Sequence, residues 1–217
     1  MALFTEEDRQ GIKKILDEKV KGQIHVDLFI DENSEECPPC EALVQIFEEL
    51  HQLDQRLLYT VHDTGLKDEA ARKNKVDCLP AILFNGQKEG RLLFYGVPSG
   101  YEFSTLLETL GALSGRESSF FTPEMKDYLQ SISSPVHFKV FVTPRCPYCP
   151  QAALTAFAAA KLNKKITAEV YEVSEFPETG KKYQVENVPK TVINDSIHII
   201  GGYPEKGLKE KLEELFS

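Results

Sequence analysis

The sequence predicts an α/β protein built from two tandem copies of one fold. The pattern Cys-x-x-Cys occurs twice, at Cys37–Cys40 and at Cys146–Cys149. A proline that opens an apolar, strand-like run follows the first cysteine of each pair by 43 residues, at Pro80 and Pro189. Both features repeat with an offset of 109 residues in a chain of 217. This offset, together with alternating helix and strand patterns in each half, indicates an internal duplication.

The first half alternates helices and strands. Thr5 is predicted to cap the first helix, with Asp8 at its third position, and prolines open the second helix. Apolar runs bounded by turn residues predict the strands. The predicted helices are 4–20, 38–53, 66–74 and 101–113, and the predicted strands are 24–30, 57–61, 79–84 and 91–95, the last two joined by a hairpin at Asn85-Gly86.

The second half repeats this order. Its predicted helices are 123–131, 147–162, 177–183 and 205–216, and its predicted strands are 138–142, 166–173, 191–193 and 197–200. The Gly- and Ser-rich stretch 111–119 is typical of a short linker between the halves. We therefore expect two domains, residues 1–115 and residues 116–217, each large enough for an ordinary core.

The net charge and the N-terminal sequence indicate which partners and which cellular compartment to expect. The net charge of −9 and the pI near 5.2 argue against a nucleic-acid or anionic-membrane partner. The N-terminal residues lack the basic start and apolar run of a secretory signal, so we expect a cytoplasmic protein. Paired cysteines in that compartment are more often catalytic or metal-binding than permanent cross-links.

The dithiols are predicted to lie directly after a buried strand and at the first turn of a helix. Unpaired N–H groups and the positive end of the helix dipole favour a thiolate there. The second cysteine lies within one turn and can close a disulfide with the first. This placement points to thiol-disulfide chemistry.

The run from Val140 to Pro150, Val-Phe-Val-Thr-Pro-Arg-Cys-Pro-Tyr-Cys-Pro, resembles the thioredoxin and glutaredoxin superfamily, in which Cys-Pro-Tyr-Cys is associated with glutaredoxins. Because the resemblance covers both halves, the chain most resembles the protein disulfide oxidoreductases, also called glutaredoxin-like proteins, of thermophilic archaea and bacteria. The resemblance implies two tandem thioredoxin-like folds, each a central mixed β-sheet flanked by helices. It implies an enzyme that reduces, oxidises or isomerises protein disulfides.

The resemblance also implies roles for particular residues. Cys146 would be the attacking thiol and Cys149 the resolving one, with Cys37 and Cys40 in the same roles in the first half. Two X-Pro bonds would be cis and would bind an extended substrate segment through the backbone, at Leu79–Pro80 and Val188–Pro189. No cofactor beyond the redox-active disulfides is expected. The expected partners are disulfide-containing proteins and a separate electron donor like thioredoxin reductase, since the chain has no glycine-rich dinucleotide fingerprint.

Other interpretations remain open at this point. The chain also resembles the paired thioredoxin folds that begin bacterial peroxide-reducing flavoproteins, which relay electrons but keep a dithiol in one half only. Four cysteines can bind zinc, although the pairs lie far outside zinc-ribbon spacing, and two structural disulfides are a further alternative. Cys78, two residues before Pro80, is either a small apolar residue or a reactive thiol at the rim of the first dithiol.

The charged residues near the two dithiols predict that they differ in thiolate stability and in reduction potential. Arg145 directly precedes Cys146 and favours its thiolate, and Tyr148 has a backbone N–H that can be offered to its sulfur. Five acidic residues surround Cys37 and disfavour a thiolate there: Asp31, Glu32, Glu35, Glu36 and Glu41. We therefore predict that Cys146 is the faster nucleophile and that the second dithiol is the more oxidising.

Overall fold

Both halves of the chain fold into alternating helices and strands, as the periodicity predicts. The structure is a computed structural model that describes residues 2–31, 37, 39–84, 90–115 and 120–216. Its contacts divide into two compact units. The first comprises Met1–Asn85, Leu93–Val97 and Leu106–Glu117, and the second comprises Gly86–Leu92, Pro98–Thr105 and Ser118–Ser217. The second unit therefore takes in two short segments from the first half of the sequence.

The first half begins with a capped helix. Thr5 Oγ1 accepts the N–H of Asp8, and the Asp8 carboxylate accepts the N–H of Thr5, so the predicted cap is present. The helices of this half are α1 (Glu6–Lys19), α2 (Cys40–Leu53), α3 (Glu69–Lys73) and α4 (Glu102–Leu113), and its strands are β1 (Ile24–Ile30), β2 (Leu57–Asp63), β3 (Ala81–Phe84) and β4 (Arg91–Tyr95).

The strands of the first half are ordered β2-β1-β3-β4. β1 pairs with β2 in parallel, from Ile24 opposite Leu57 to Ile30 opposite Asp63. It pairs with β3 in antiparallel orientation. The central strand β1 ends in three fully buried residues, Leu28, Phe29 and Ile30, and this buried end leads into the segment that carries the first dithiol.

The second half repeats the arrangement. Its helices are α5 (Pro123–Ser131), α6 (Cys149–Leu162), α7 (Pro177–Lys182) and α8 (Glu205–Phe216), and its strands are β5 (Val136–Val142), β6 (Ile166–Glu172), β7 (Lys190–Ile193) and β8 (Ile197–Ile200). The strand order is β6-β5-β7-β8, with β5 parallel to β6 and antiparallel to β7. β5 again ends in buried residues, Val140 to Val142, directly before the second dithiol.

Helix α6 packs closely on β5 and β6 because its inner face is built from alanine. The buried alanines are Ala152, Ala153, Ala156, Ala159 and Ala160. Small side chains let the helix backbone approach the sheet. The helix therefore holds the dithiol at its start in a fixed position relative to β5.

Several element boundaries differ from the sequence prediction. Both dithiol helices begin at the second cysteine, Cys40 or Cys149, rather than at the proline after the first. The helix predicted over 66–74 is instead a 3₁₀ turn, Gly65–Lys67, followed by α3. The break occurs because Asp68 caps α3, accepting the N–H groups of Ala70 and Ala71.

Two predicted features fall partly or wholly outside the described residues. They are the hairpin turn at Asn85-Gly86 and the end of the predicted linker, residues 116–119. Within the described part of the chain, no helix combines the length and the apolar character that crossing a bilayer requires.

Candidate active sites

The second dithiol lies on a turn between β5 and α6. The Cys146 N–H donates to the Thr143 carbonyl at 3.2 Å, and the Cys149 N–H donates to the Cys146 carbonyl at 3.3 Å. The Cys149 thiol lies within hydrogen-bonding reach of the Cys146 thiol. Proline at position 147 lacks an N–H and fits this first turn.

The two thiols differ in access. Cys146 is 9 % exposed, whereas Cys149 is 0 % exposed. The Cys146 thiol donates to the carbonyl of Val188 at 3.7 Å. The Val188–Pro189 bond is cis, so the sulfur that solvent reaches lies against the backbone just before the special proline.

Burial raises the pKa of the Cys149 thiol well above its usual range. The neighbouring Cys146 thiol and the carboxyl of Glu102 add to the rise, and the backbone N–H of Thr143 opposes it. Cys149 therefore stays protonated at neutral pH unless a neighbouring group takes its proton.

Glu102, at the start of α4, is a buried carboxyl with one unused oxygen. It is 0 % exposed, and its Oε2 accepts a hydrogen bond from Thr105 Oγ1 at 2.8 Å. Its Oε1 has no hydrogen-bond partner among the described residues. Burial raises the pKa of Glu102 to about 7, helped by the charge of Glu172 and opposed by the Thr105 hydroxyl.

Glu172 is a second buried carboxyl in this unit, at the end of β6. It lies opposite Val142, the last residue of β5. Its oxygens accept the backbone N–H groups of Ser174 at 3.1 Å and Glu175 at 2.9 Å, which solvate its charge. Glu102 and Glu172 are the functional candidates that the sequence analysis missed.

The sequence pattern of α4 indicates that Glu102 is buried. The residues of α4 at positions 102, 105, 106, 109 and 110 are all buried, so they form the inner stripe of the helix. A carboxylate on such a stripe is costly unless it is paired or used. Reading the helix by its inner face would have identified Glu102 without any motif.

The first dithiol repeats the backbone arrangement. Cys37 and Cys40 form a disulfide, and the Asp31 N–H donates to Cys40 Sγ at 3.4 Å. The Leu79–Pro80 bond is also cis. The Pro80 carbonyl accepts the Gly96 N–H at 2.9 Å, as the Pro189 carbonyl accepts the Gly201 N–H at 2.7 Å. Both implied cis bonds are thus present.

The remaining predicted site residues lie as follows. Arg145 is exposed, and Tyr148 is 70 % exposed. Pro80 and Pro189 are buried, while the preceding residues, Leu79 and Val188, are half-buried. Their roles in tuning the thiols and in binding substrate stay predictions.

Other predicted features concern Cys78, the acidic loop and metal binding. Cys78 is half-buried. Residues Glu32, Glu35 and Glu36 lie outside the described residues, whereas Glu41 is exposed at the start of α2. No group of three or more potential metal ligands occurs in the part of the chain that the structure describes.

Comparison with known proteins agrees with this geometry. The model of the thioredoxin domain family matches residues 136–216. The second half of the chain is therefore similar to thioredoxin domains. The thioredoxin of Methanocaldococcus jannaschii is 29 % identical over 82 residues, which are 37 % of this chain and 96 % of that protein.

Two solved structures match almost the whole chain. A protein disulfide oxidoreductase from Aeropyrum pernix has a TM-score of 0.83 and 28 % identity, covering 95 % of this chain and 90 % of that one. The N-terminal domain of alkyl hydroperoxide reductase from Enterococcus faecalis has a TM-score of 0.83 at 20 % identity, covering 96 % of this chain and 99 % of that one. At 20 % identity, the similarity to the Enterococcus faecalis domain shows a shared fold and no more.

Among curated proteins, an alkyl hydroperoxide reductase from Xanthomonas campestris is 24 % identical over 196 residues, which are 90 % of this chain and 34 % of that protein. The chain spans about a third of the length of the curated relatives that it matches first. The predicted fold class, two tandem thioredoxin-like folds, is confirmed. The predicted enzyme class is confirmed as well: the chain falls among the thioredoxin-fold oxidoreductases, which act by thiol-disulfide exchange.

Proposed function

We propose that this protein is a protein disulfide oxidoreductase that reduces, oxidises or isomerises disulfides of other proteins through its two dithiols. The observation that carries the proposal is the geometry of the second site. A partly accessible thiol, Cys146, lies beside a fully enclosed one, Cys149, and against the carbonyl of Val188. The attacking thiol must be accessible to the substrate disulfide, whereas the resolving thiol needs to reach only the sulfur of the attacking cysteine. The exposure of Cys146 and the burial of Cys149 fit these two roles.

In the first step the Cys146 thiolate attacks one sulfur of a substrate disulfide. A mixed disulfide forms, and the other substrate sulfur leaves as a thiolate and takes up a proton. The backbone around Val188 and Pro189 would pair with the extended substrate segment and align its disulfide with Cys146 Sγ. The same roles are proposed for Leu79 and Pro80 at the first site.

In the second step the Cys149 thiolate attacks Cys146 Sγ. The second substrate sulfur leaves as a thiol, and the Cys146–Cys149 disulfide remains. Because burial raises the pKa of Cys149, this step needs a proton acceptor. We assign that role to Glu102, whose Oε1 is unused and whose pKa of about 7 suits proton transfer near neutral pH.

The first dithiol is proposed to act by the same exchange, with Cys37 attacking and Cys40 resolving. Cys37 is again the more accessible of its pair. Reduced protein would be regenerated by a separate reductase, since thiol exchange only moves an electron pair between dithiols. We also infer a cytoplasmic location, with neither a nucleic acid nor a membrane as a partner.

A second candidate function is electron relay to a peroxidase or similar partner. It is favoured by the similarity to the alkyl hydroperoxide reductase of Xanthomonas campestris over 90 % of the chain. A relay would pass electrons from a reductase through its dithiols to one dedicated partner. A general oxidoreductase would accept many protein disulfides.

Insulin reduction with dithiothreitol tests the proposal. We expect the intact chain to accelerate insulin precipitation. The variants Cys37→Ser/Cys40→Ser and Cys146→Ser/Cys149→Ser should each lose part of the activity, and the fourfold variant should lose all of it. Undiminished activity of the fourfold variant would refute thiol-disulfide exchange.

Assays on different substrates distinguish a general oxidoreductase from an electron relay. Scrambled ribonuclease should regain activity in the presence of the intact chain if it is a general oxidoreductase. Failure with insulin and ribonuclease, together with rapid reduction of a peroxidase disulfide, would favour the relay instead.

A further inference from the structure

Tyr101, an aromatic residue with an exposed side chain, has its backbone bonded to the turn that carries the second dithiol. Its N–H donates to the Pro144 carbonyl at 2.9 Å, and Pro144 is two residues before Cys146. The next residue, Glu102, is buried and acts electrostatically on Cys149. Of these two consecutive residues, Glu102 is enclosed, and Tyr101 is 53 % exposed.

The backbone fixes Tyr101 in this position. Gly100 has a φ of +56°, and a Cβ atom there would lie 2.3 Å from the Pro144 carbonyl oxygen, so only glycine permits this approach. The Tyr101 carbonyl accepts the N–H of Ser104 at 3.1 Å and its hydroxyl at 2.7 Å. An aromatic ring on a fixed backbone loses little conformational entropy when a partner binds.

A second exposed aromatic lies on the other side of the attacking cysteine in sequence. Tyr148 is two residues after Cys146 and is 70 % exposed. Because Cys146 itself is only 9 % exposed, a disulfide that reaches its sulfur brings the adjoining substrate residues onto the surrounding surface. Exposed aromatics around a reactive group are typical of a binding surface.

We propose that Tyr101 and Tyr148 bind the residue next to the cystine in an extended substrate segment and select an aromatic or large aliphatic side chain there. The inference rests on the proposed function and names the substrate class of the second site. One aromatic contact of this kind corresponds to about a fivefold preference in rate constant.

The test uses two cyclic peptides that are identical except for Trp or Ser next to the cystine. Pre-reduced Cys37→Ser/Cys40→Ser protein is mixed with each peptide in a stopped-flow instrument, and the second-order rate constants are compared. We expect the Trp peptide to react about five times faster. Tyr101→Ser should reduce this ratio to less than about twofold, whereas Tyr101→Phe should keep it.

Phe216→Ser is the matched control. Phe216 is an aromatic residue of the same unit with 46 % exposure, at the far end of α8, and its loss should leave the ratio intact. A ratio near one in the unsubstituted protein, or a ratio that Tyr101→Ser preserves, would overturn the inference while leaving the proposed function standing. Failure of both peptides to react would overturn the proposed function, and the inference with it.

Discussion

At the first dithiol, the Asp31 N–H donates to the sulfur of Cys40, and β2 ends nearby in Asp63, which is exposed. Asp63 is paired with Ile30, the last residue of β1. At the second dithiol the corresponding residue, paired with Val142 at the end of β5, is Glu172, which is buried. The two sites share strand order, turn and cis proline. They differ in the carboxyl groups around the sulfur atoms.

Glu102 sharpens this difference. It lies in the same compact unit as the second dithiol, is fully buried and contributes to the raised pKa of Cys149. The comparison teaches that the Cys-x-x-Cys motif sets where exchange occurs, whereas buried carboxyl groups around it set how readily a thiol gives up its proton.

The largest effect is expected from removing the resolving thiol of the second site. In a Cys37→Ser/Cys40→Ser background, Cys149→Ser should abolish turnover and accumulate a mixed disulfide on Cys146, because the thiol that releases substrate is gone. Mass spectrometry after incubation with a disulfide-bearing peptide detects the adduct. An adduct on Cys149 in the Cys146→Ser protein would reverse the assigned roles.

Glu102→Gln should slow the second site by about a hundredfold, because general base catalysis typically contributes at least that much. In the unsubstituted protein, the rate constant for release of substrate from the mixed disulfide should increase as the pH rises through about 7, because Glu102 ionises in that range. The variant should lose this inflection, measured by stopped flow. Equal slowing of exchange at Cys37 would mean that Glu102 acts on the fold rather than on Cys149.

The same carboxyl should make stability depend on pH. Its pKa of about 7 in the folded chain lies above the ordinary 4.5, so the folded state holds this proton more tightly than the unfolded state. Its contribution is complete below pH 4.5 and is lost as the pH rises through 7. Relative to Glu102→Gln, the unsubstituted protein should lose about 3 kcal/mol of unfolding free energy between pH 4.5 and 8.

Urea denaturation at both pH values measures this difference. A difference that stays constant across the range would show that folding does not raise the pKa of Glu102.

A smaller effect is expected in redox potential. With Arg145 beside Cys146 and acidic residues around Cys37, the second dithiol should be more oxidising by about 30 to 60 mV. Redox titration of the Cys37→Ser/Cys40→Ser and Cys146→Ser/Cys149→Ser proteins, with iodoacetamide alkylation followed against pH, tests this order. Equal potentials, or slower alkylation of Cys146 than of Cys37, would contradict it.

The smallest effect is expected from Glu41→Gln. Glu41 is exposed at the start of α2, so water and salt screen its charge, and its removal should raise the potential of the first dithiol by less than about 15 mV. The effect should vanish in 1 M salt. A shift that persists in 1 M salt would mean that solvent screening does not weaken this charge.

Local patterns predicted most of the elements. The bounds predicted for α5, β8 and α8 agree with the structure, since a cap, a short apolar run and a clear amphipathic period define them. The predicted helix over 66–74 was wrong in its first turn, because Asp68 competes for backbone N–H groups within it. The starts of α2 and α6 were placed too early. In each pair the N–H of the second cysteine donates to the carbonyl of the first, and the helix begins only at the second cysteine.

The sequence by itself determined the duplication, the two dithiols, the prolines that follow them and the α/β character, because these follow from spacing and periodicity along the chain. The thioredoxin-like fold was implied by the resemblance of the Cys-x-x-Cys motifs to that superfamily. Only the tertiary structure decided that Glu102 and Tyr101 belong to the second dithiol. Glu102 is 44 residues before Cys146 in sequence, and the hydrogen bond from Tyr101 to Pro144 brings its segment to the site. Burial, which raises the pKa of Cys149 and of Glu102, is likewise a property of the packed chain and not of neighbours in sequence.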